Sequence, residues 1–279
     1  MTTSAHRQQA PGPGPVASYT SPIPIRPATF SDAIASEWTK IRSVRSTVWT
    51  LGVLIALMLT IGVGAALLMS SAETELAGEP VLSLGFFGVL LGSICVITLG
   101  VLTIGSEYGT GMIRATLTAC PSRGRVLAAK SVVFSALTFV VTTVTAAVVA
   151  WFQLLILDVA MPSADLWLRS TAGVGLFMAL LGLLSVGVGA IVRHTAGSVT
   201  IMIGVVLLPL VASLFMFADS LRTLQRFLVD YSVPSQLSSL YGVTMTSTGP
   251  SGWTPVALMA GLAAVALGGA YLALSRRDV

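Results

Sequence analysis

The sequence predicts an all-α membrane protein with six transmembrane helices, preceded by an amphipathic helix at the membrane surface. Hydrophobic residues make up 54% of the 279 residues and charged residues only 9%, whereas a soluble domain usually carries about 25% charged residues. The apolar residues also cluster into six runs, each long enough to cross ~30 Å of hydrocarbon as a helix. The lipid bilayer is therefore the solvent that this composition fits.

The first 29 residues predict a disordered, proline-stiffened tail on the cytoplasmic side. This segment contains six prolines and few large apolar side chains, so it cannot bury enough apolar surface to offset the entropy of folding. No apolar stretch of the kind found in a signal peptide follows Arg7. We therefore expect the fold to begin after this tail.

Residues 30–48 predict an amphipathic helix that lies on the membrane surface. Large apolar residues recur at helical spacing at Phe30, Ile34, Trp38 and Ile41, and Ser31 is the predicted N-cap. Charged residues fall on the remaining faces; they are Glu37, Lys40, Arg42 and Arg45. Such a helix suits a membrane interface with basic residues near anionic lipid. The alternative is a charged flank of the first span.

Residues 49–279 predict a six-span transmembrane domain. The predicted spans are residues 49–69, 82–106, 131–157, 171–192, 199–218 and 255–274. Pro209 is expected to kink the fifth span. Residues 219–254, before the last span, predict short interfacial or re-entrant helices that are interrupted at Pro234 and Gly242.

The basic residues predict how the chain is oriented. Twelve of the fifteen Lys and Arg residues fall in segments on the side of the amino terminus, whereas Arg169, Arg222 and Arg226 fall on the other side. Because positively charged segments stay on the cytoplasmic side of a membrane, both termini are predicted to be cytoplasmic. We expect a multi-pass protein of the plasma membrane.

Several kinds of site are missing from the sequence. The predicted spans contain no Asp, Glu, Lys, Arg or His, which disfavours an ion-coupled carrier. A phosphate-binding loop is absent, and His6 and His194 lack helix-spaced partners for zinc. We therefore predict no catalytic, cofactor or metal site, and no nucleic-acid partner. Cys95 and Cys120 are predicted to stay unpaired because they lie at different depths.

Residues 107–130 form a basic segment between the second and third spans. Residues 109–111 are expected to end the incoming helix, Pro121 to end a short helix that follows, and Ser122 to cap the third span. The apolar residues of this short helix are Met112, Ile113 and Leu117. A short helix with an apolar side suits the groove of a partner protein. A plain basic loop explains the same residues.

Glu107 stands at the predicted cytoplasmic end of the second span. Both the negative end of the helix dipole and an anionic lipid surface disfavour a carboxylate there. We therefore expect a cationic partner, either Arg114 in the basic segment or Arg42 or Arg45 in the surface helix. Such a pair would tie the segment to that helix. The alternative is a solvated acid at the end of the span.

Two stretches of the sequence, SEWTKIRSVRST at 36–47 and EYGTGMIRATL at 107–117, resemble segments of bacterial ABC transporter permeases of the second exporter class (ABC-2 type). The stretch SEWTKIRSVRST at 36–47 resembles the segment that precedes the first span of these permeases. The stretch EYGTGMIRATL at 107–117 resembles their first intracellular loop. The six-span layout and the long outer segment before the last span are similar too.

The resemblance implies a permease subunit without catalysis of its own, which dimerises and carries a separate ATP-binding subunit. Residues 30–48 would be its connecting helix. The residues implied to couple to the ATPase are Thr110, Met112, Ile113, Arg114 and Leu117. The implied network of connecting helix and membrane edge comprises Glu37, Arg42, Arg45 and Glu107. Gly111 departs from the family pattern, in which a larger residue is expected.

The function that we predict from the sequence is export of a hydrophobic or amphipathic substrate, such as a drug, an antibiotic, a peptide or a lipid. ATP would bind the partner subunit, and this chain would hold no cofactor. The second permease copy would be identical or related to the first. Two alternatives are a non-energised membrane scaffold or assembly factor, and a secondary carrier.

Overall fold

The structure is a computed structural model that describes residues 29–72, 80–120, 122–246 and 248–276. Regular secondary structure in these ranges is entirely helical. Six of the helical segments are long and apolar enough to cross a membrane, which confirms the predicted all-α membrane architecture. The proline-rich tail up to residue 28 and the proposed stop at Pro121 lie outside the described residues.

Eleven α-helices follow one another in the described residues. They are α1 Phe30–Ser43, α2 Arg45–Ser71, α3 Phe86–Gly109, α4 Met112–Ala119, α5 Arg123–Leu157, α6 Ala164–Leu168, α7 Val174–Val192, α8 Thr195–Ser213, α9 Arg222–Asp230, α10 Val233–Leu240 and α11 Thr254–Arg276. A 3₁₀ turn at Val81–Gly85 leads into α3, and a π turn at Arg169–Gly173 joins α6 to α7.

Helix α1 begins at Phe30, and its N-cap lies two residues before the predicted one. The Thr29 hydroxyl accepts a hydrogen bond from the Asp32 backbone amide, and the Asp32 carboxylate accepts one from the Thr29 amide at 2.9 Å. This reciprocal pair is a capping box, so Thr29 and not Ser31 is the N-cap. The helix ends at Ser43 because Val44 is extended, and α2 starts at Arg45. The helix predicted for residues 30–48 is therefore interrupted at Val44.

Helices α3 and α5 extend past the apolar runs at their basic ends, in agreement with the predicted helix end at residues 109–111 and the predicted Ser122 cap. Helix α3 continues to Gly109 and includes Glu107. Helix α5 begins at Arg123, where the Ser122 side chain caps it as predicted, and it includes Lys130. Hydrophobicity alone ended these spans at the first polar residue, whereas the backbone hydrogen bonds continue past it. Both charged residues consequently lie inside helices.

Helix α7 occupies the centre of the bundle and packs against α3, α5 and α11. Its Phe177, Met178 and Leu181 side chains are completely buried. Close packing depends on glycine: a Cβ at Gly100 of α3 would lie 2.6 Å from the carbonyl oxygen of Gly182 in α7. Small residues let membrane helices approach to this distance, so these positions fix the α3–α7 contact.

The bundle has two chemically different ends. We call the charged end the one where α3 ends and α5 begins, and the capped end the one where α2 ends and α11 begins. The capped end carries α9 and α10, which fulfil the prediction of short helices in 219–254. Pro234 lies in the first turn of α10 rather than at a break, because proline needs no amide partner there.

Candidate functional site

Four charged side chains meet at the charged end. Glu37 and Lys40 come from α1, Glu107 from the last turn of α3 and Lys130 from the second turn of α5. Residues 37 and 40 project from the same face of α1 because they are three positions apart. We call these four residues the ion cluster. Three helices that are distant in the sequence therefore share one site.

Each lysine of the ion cluster bridges both glutamates. Lys40 Nζ lies 2.7 Å from Glu37 Oε1 and 2.8 Å from Glu107 Oε1. Lys130 Nζ lies 2.7 Å from Glu37 Oε2 and 3.0 Å from Glu107 Oε1. These distances are those of charge-assisted hydrogen bonds. With two acids and two bases, the cluster has no net charge.

The ion cluster is nearly inaccessible to solvent. Glu37 is 4% exposed, Glu107 3% and Lys130 2%, whereas the Lys40 side chain is 26% exposed. An unpaired charge at such a site would cost several kcal/mol of desolvation. These two residues are the only lysines in the chain, and the other thirteen basic residues are arginines. Compact ammonium groups with three donors each suit a double bridge between carboxylates.

The environment of Lys40 favours its protonated form. Burial lowers the pKa of the Lys40 ammonium, but hydrogen bonds and charge attraction from Glu107 and Glu37 outweigh it. The pKa of Lys40 consequently lies above its ordinary value of 10.5. Lys40 therefore stays charged throughout the physiological pH range, and the bridge that it forms between α1 and α3 persists.

Glu107 has cationic partners, as expected, but they are not the arginines that were proposed. Among the described residues, none of the three arginines proposed for it forms an ion pair with Glu107; these are Arg42, Arg45 and Arg114. Lys40 and Lys130 pair with it instead. The reason is register: Lys40 shares a face of α1 with Glu37, whereas the three arginines point outward and are exposed.

Helix α4 lies beside the ion cluster and is attached to it. Lys40 Nζ approaches the Thr116 hydroxyl at 3.5 Å. Ile113 is buried, whereas Met112 is 47% exposed. Arg114 is exposed and Leu117 half-buried. Ile113 thus anchors the helix, and Met112 and Arg114 remain accessible, so the expected apolar side of Met112, Ile113 and Leu117 is divided between inside and outside.

The glycine that departs from the family pattern has a structural reason. Gly111 has φ of +72° and stands as the left-handed N-cap of α4, while Thr110 ends α3 beside it. Side chains with a Cβ adopt this conformation at a cost of about 1–2 kcal/mol. Gly111 therefore permits the sharp turn between α3 and α4, which brings α4 back towards the ion cluster.

Two further contacts join the charged end to the rest of the bundle. The Arg193 guanidinium lies over the Tyr108 ring, 5.1 Å from its centroid. Arg123 donates a hydrogen bond to the Leu274 carbonyl. Arg193 itself follows α7 in the left-handed conformation, and the His194 ring nitrogen Nδ1 caps α8 by accepting from the Gly197 amide at 3.0 Å. His194 is thus a capping residue.

Neither a cluster of metal-ligating side chains nor a disulfide is found among the described residues. No group of three or more His, Cys, Asp or Glu side chains comes together there. Cys95 and Cys120 are both free, as expected from their different depths.

Two cavities flank the ion cluster, one of about 180 Å³ towards α2 and α3, and one of about 200 Å³ towards α4 and the start of α5.

No single sequence signal identifies the ion cluster. Glu37 and Lys40 form an i,i+3 pair, and Glu107 was recognised as an acid needing a cation. Lys130 was assigned to the basic segment, and its burial follows only from the early start of α5 at Arg123. The predicted Ser122 cap already placed Lys130 in this helix, but its pairing with Glu37 of α1 had no signal in the sequence.

Comparisons with known proteins identify no relative. No model of a known protein family matches the chain, and no curated protein matches it. The resemblance of residues 36–47 and 107–117 to ABC-2 permeases therefore stays a prediction from the sequence.

Proposed function

We propose that this chain is the transmembrane permease subunit of an ATP-driven ABC exporter, and that it moves a hydrophobic or amphipathic substrate. Two copies, or this chain and a related one, form the permease, and a separate ATP-binding subunit docks on the charged end. The ATP is bound and hydrolysed on that partner. The resemblance of residues 36–47 and 107–117 to ABC-2 permeases is the starting point of this proposal.

The observation that carries the proposal is the attachment of α4 to the membrane helices through the ion cluster. Thr116 of α4 contacts Lys40, which bridges Glu37 of α1 and Glu107 of α3. Lys130 extends the connection to α5. Separating these helices would leave buried charges unpaired, at a cost of several kcal/mol. Ile113 buries α4 against the bundle, so in this proposal a push on α4 by a partner moves α1, α3 and α5 together.

The distribution of basic residues supports a cytoplasmic charged end in the plasma membrane. In the described residues, nine Lys and Arg side chains belong to segments at the charged end and three to segments at the capped end. The nine are Lys40, Arg42, Arg45, Arg114, Arg123, Arg125, Lys130, Arg193 and Arg276. This asymmetry favours both termini in the cytoplasm, where ATP and an ATP-binding subunit are available.

A secondary carrier fits the charges less well. Carriers place ion-binding groups near the middle of the membrane at broken helices. Glu107 lies two residues from the end of α3, and both of its partners are basic side chains at the same end. Charges that neutralise one another at a helix end are suited to holding helices together. We therefore retain the exporter as the proposal.

Capture of the ATP-binding subunit tests docking. The purified chain is immobilised, and the ATP-binding subunit encoded beside it, or co-expressed with it, is measured on the resin. We expect Arg114→Glu to reduce retention at least tenfold, because Arg114 is exposed on α4. Arg226→Glu, which reverses an exposed charge at the capped end, is the matched control. Equal retention by both variants would contradict docking at α4.

Transport in proteoliposomes tests the activity. Uptake of an amphipathic dye should require ATP and both subunits and should persist when ion gradients are collapsed. Dye movement by this chain alone, driven by an ion gradient, would show a secondary carrier instead. Orientation is tested in a cysteine-free background by Thr110→Cys, whose exposed thiol should react with a membrane-impermeant reagent only after cells are opened.

A further inference from the structure

An apolar groove runs between α1 and α5. Its volume is about 350 Å³. The lining is entirely hydrocarbon and indole; it comprises Ile34, Trp38, Val132, Val133, Ala136, Leu137 and Val140. From Val132 to Val140 the groove follows α5 over ~12 Å. Trp38 closes one side and is 45% exposed.

The ion cluster fixes the position of this groove. Glu37, the neighbour of Trp38 in the chain, binds Lys130 at 2.7 Å, and Lys130 lies two residues before Val132. The groove therefore begins at the level of the buried charges and extends towards the apolar middle of α5. Its walls are held at a set distance because α1 cannot leave α5 without unpairing Lys130.

An exposed positive charge follows the two groove residues of α1 in the sequence. Ile34, Trp38 and Arg42 are spaced by four residues on α1, so they lie near one face of the helix. Arg42 is exposed, and one helical turn, about 6 Å, separates it from Trp38 along α1. Apolar walls that lead to an exposed guanidinium match a molecule with a hydrocarbon chain and an anionic head.

We propose that this groove binds one anionic glycerophospholipid from the leaflet that faces the charged end. An acyl chain lies against Trp38 and Ala136, and the phosphate accepts hydrogen bonds from Arg42. Trp38 supplies an amphipathic ring at the depth of the lipid headgroup, where tryptophan is favoured. The lipid is then a component that packs α1 against α5 and reinforces the Glu37–Lys130 pair.

The groove chemistry selects a lipid over other occupants. A peptide strand or loop would place its backbone amides against walls that offer no hydrogen-bond partner, and each buried unpaired group is costly. A hydrocarbon chain has no such groups. The exposed arginine then distinguishes anionic from zwitterionic lipid, because a basic side chain near a membrane surface adds about 1 kcal/mol of attraction for anionic lipid.

Fluorescence quenching of Trp38 by lipids with brominated chains tests the proposal. The full chain is reconstituted in nanodiscs after the other four tryptophans are replaced by phenylalanine. Brominated phosphatidylglycerol, diluted in unlabelled phosphatidylcholine, is expected to quench Trp38 at a mole fraction roughly fivefold lower than brominated phosphatidylcholine does. Equal quenching by the two lipids would overturn the anionic headgroup site.

Two pairs of variants separate the headgroup from the chain. Arg42→Gln should abolish the preference for phosphatidylglycerol, whereas Arg114→Gln, an exposed arginine of α4 away from the groove, should keep it. Ala136→Phe, which fills the groove, should halve the maximal quenching. Val144→Phe, two turns further along the lipid-facing side of α5, is its control. If Ala136→Phe leaves quenching unchanged, no chain occupies the groove.

Native mass spectrometry of the chain with all its tryptophans gives an independent readout. One phosphatidylglycerol molecule should stay bound after detergent is removed, and Arg42→Gln should reduce this adduct. Retention of phosphatidylcholine at the same level, or crosslinking of Ala136→Cys to a second copy of the chain, would overturn the proposal. In the second case the groove is a protein interface.

Discussion

The charged end and the capped end of the bundle are both closed, but by different interactions. At the charged end, two lysines and two glutamates from α1, α3 and α5 neutralise one another. At the capped end, all eight residues of α10 are buried and the buried acid Asp230 accepts hydrogen bonds from the Thr246 and Thr248 hydroxyls.

This difference has a consequence for movement. Apolar surfaces that slide exchange one set of contacts for another, whereas separating a buried ion pair leaves desolvated charges without partners. The charged end is therefore suited to moving as one body with α4, and the capped end to closing the bundle on the opposite side. Mutations confined to one of these ends show how much each contributes to the free energy of unfolding.

The largest expected effect is at Lys130. Lys130→Met leaves Glu37 and Glu107 buried with Lys40 alone, and we expect the free energy of unfolding to fall by about 3 kcal/mol. Unfolding in mixed micelles of dodecyl maltoside and SDS measures it. The double variant Lys130→Met with Glu107→Gln keeps one acid and one base and should recover most of the loss. Without recovery, the loss comes from packing and not from charge.

At the capped end, Asp230→Ala is expected to cost less, about 2 kcal/mol, because it removes an acceptor from two neutral hydroxyl donors. Asp230→Asn keeps one acceptor oxygen and should cost about half as much. The same unfolding assay measures both. A loss as large as that of Lys130→Met would show that the two ends are closed with equal strength, and the proposed contrast would fail.

Sequence reasoning predicted the helices better than the cluster. The six spans follow from the length of the apolar runs, because the thickness of the bilayer sets how many apolar residues a spanning helix needs. The Gly109–Gly111 turn, the short helix after it and the Ser122 cap follow from local backbone preferences. The pairing of Glu107 did not follow, because it depends on how α1 rotates about its axis relative to α5. That rotation is set by packing between residues distant in the sequence.

The ends of the spans depend on two kinds of sequence signal. Hydrophobicity alone stops at residues 106 and 131, whereas the predicted turn at 109–111 and the Ser122 cap agree with the observed ends of α3 at Gly109 and α5 at Arg123. A charged residue can remain in a helix when a partner on another helix neutralises it. A single sequence does not reveal which residue that partner is. The predicted spans contain no charged residue, but the helices that include them also contain Glu107 and Lys130.

Two glycines with positive φ sharpen the comparison of the ends. Gly111 at the charged end has φ of +72° and open space where a Cβ would lie, whereas at Gly242, with φ of +84°, a Cβ would lie 3.3 Å from Leu166 and Pro80 side-chain atoms. We expect Gly111→Ala to cost about 1 kcal/mol from backbone strain and Gly242→Ala to cost more. Unfolding in mixed micelles measures the two losses.

Gly109 provides the control for this pair. It is the last residue of α3, with no neighbour within 4 Å of an added Cβ. Alanine favours the helix by roughly 0.5–1 kcal/mol over glycine, so Gly109→Ala should be neutral or slightly stabilising. Equal losses at 109 and 111 would mean that the left-handed turn before α4 is not the cause.

The smallest expected effect concerns pH and the titration of Lys40. The pKa of Lys40 is raised above 10.5 in the folded chain, so its protonated form stabilises the fold. This contribution is fully present below the unfolded pKa of 10.5 and is lost as the pH rises through the higher folded pKa. We expect the unfolding midpoint temperature to stay level from pH 7 to about 9.5 and to decline above pH 10.5.

Lys40→Met tests the source of that decline. The variant lacks the titrating group at position 40, so its midpoint should be lower at pH 8 and fall less steeply above pH 10.5 than that of the unmodified chain. Because the Lys40 side chain is 26% exposed, solvent screening keeps the effect small. Arg226→Met, at the capped end, should follow the unmodified pH profile. An identical decline in all three chains would place the titrating group elsewhere and leave the charged end insensitive to pH.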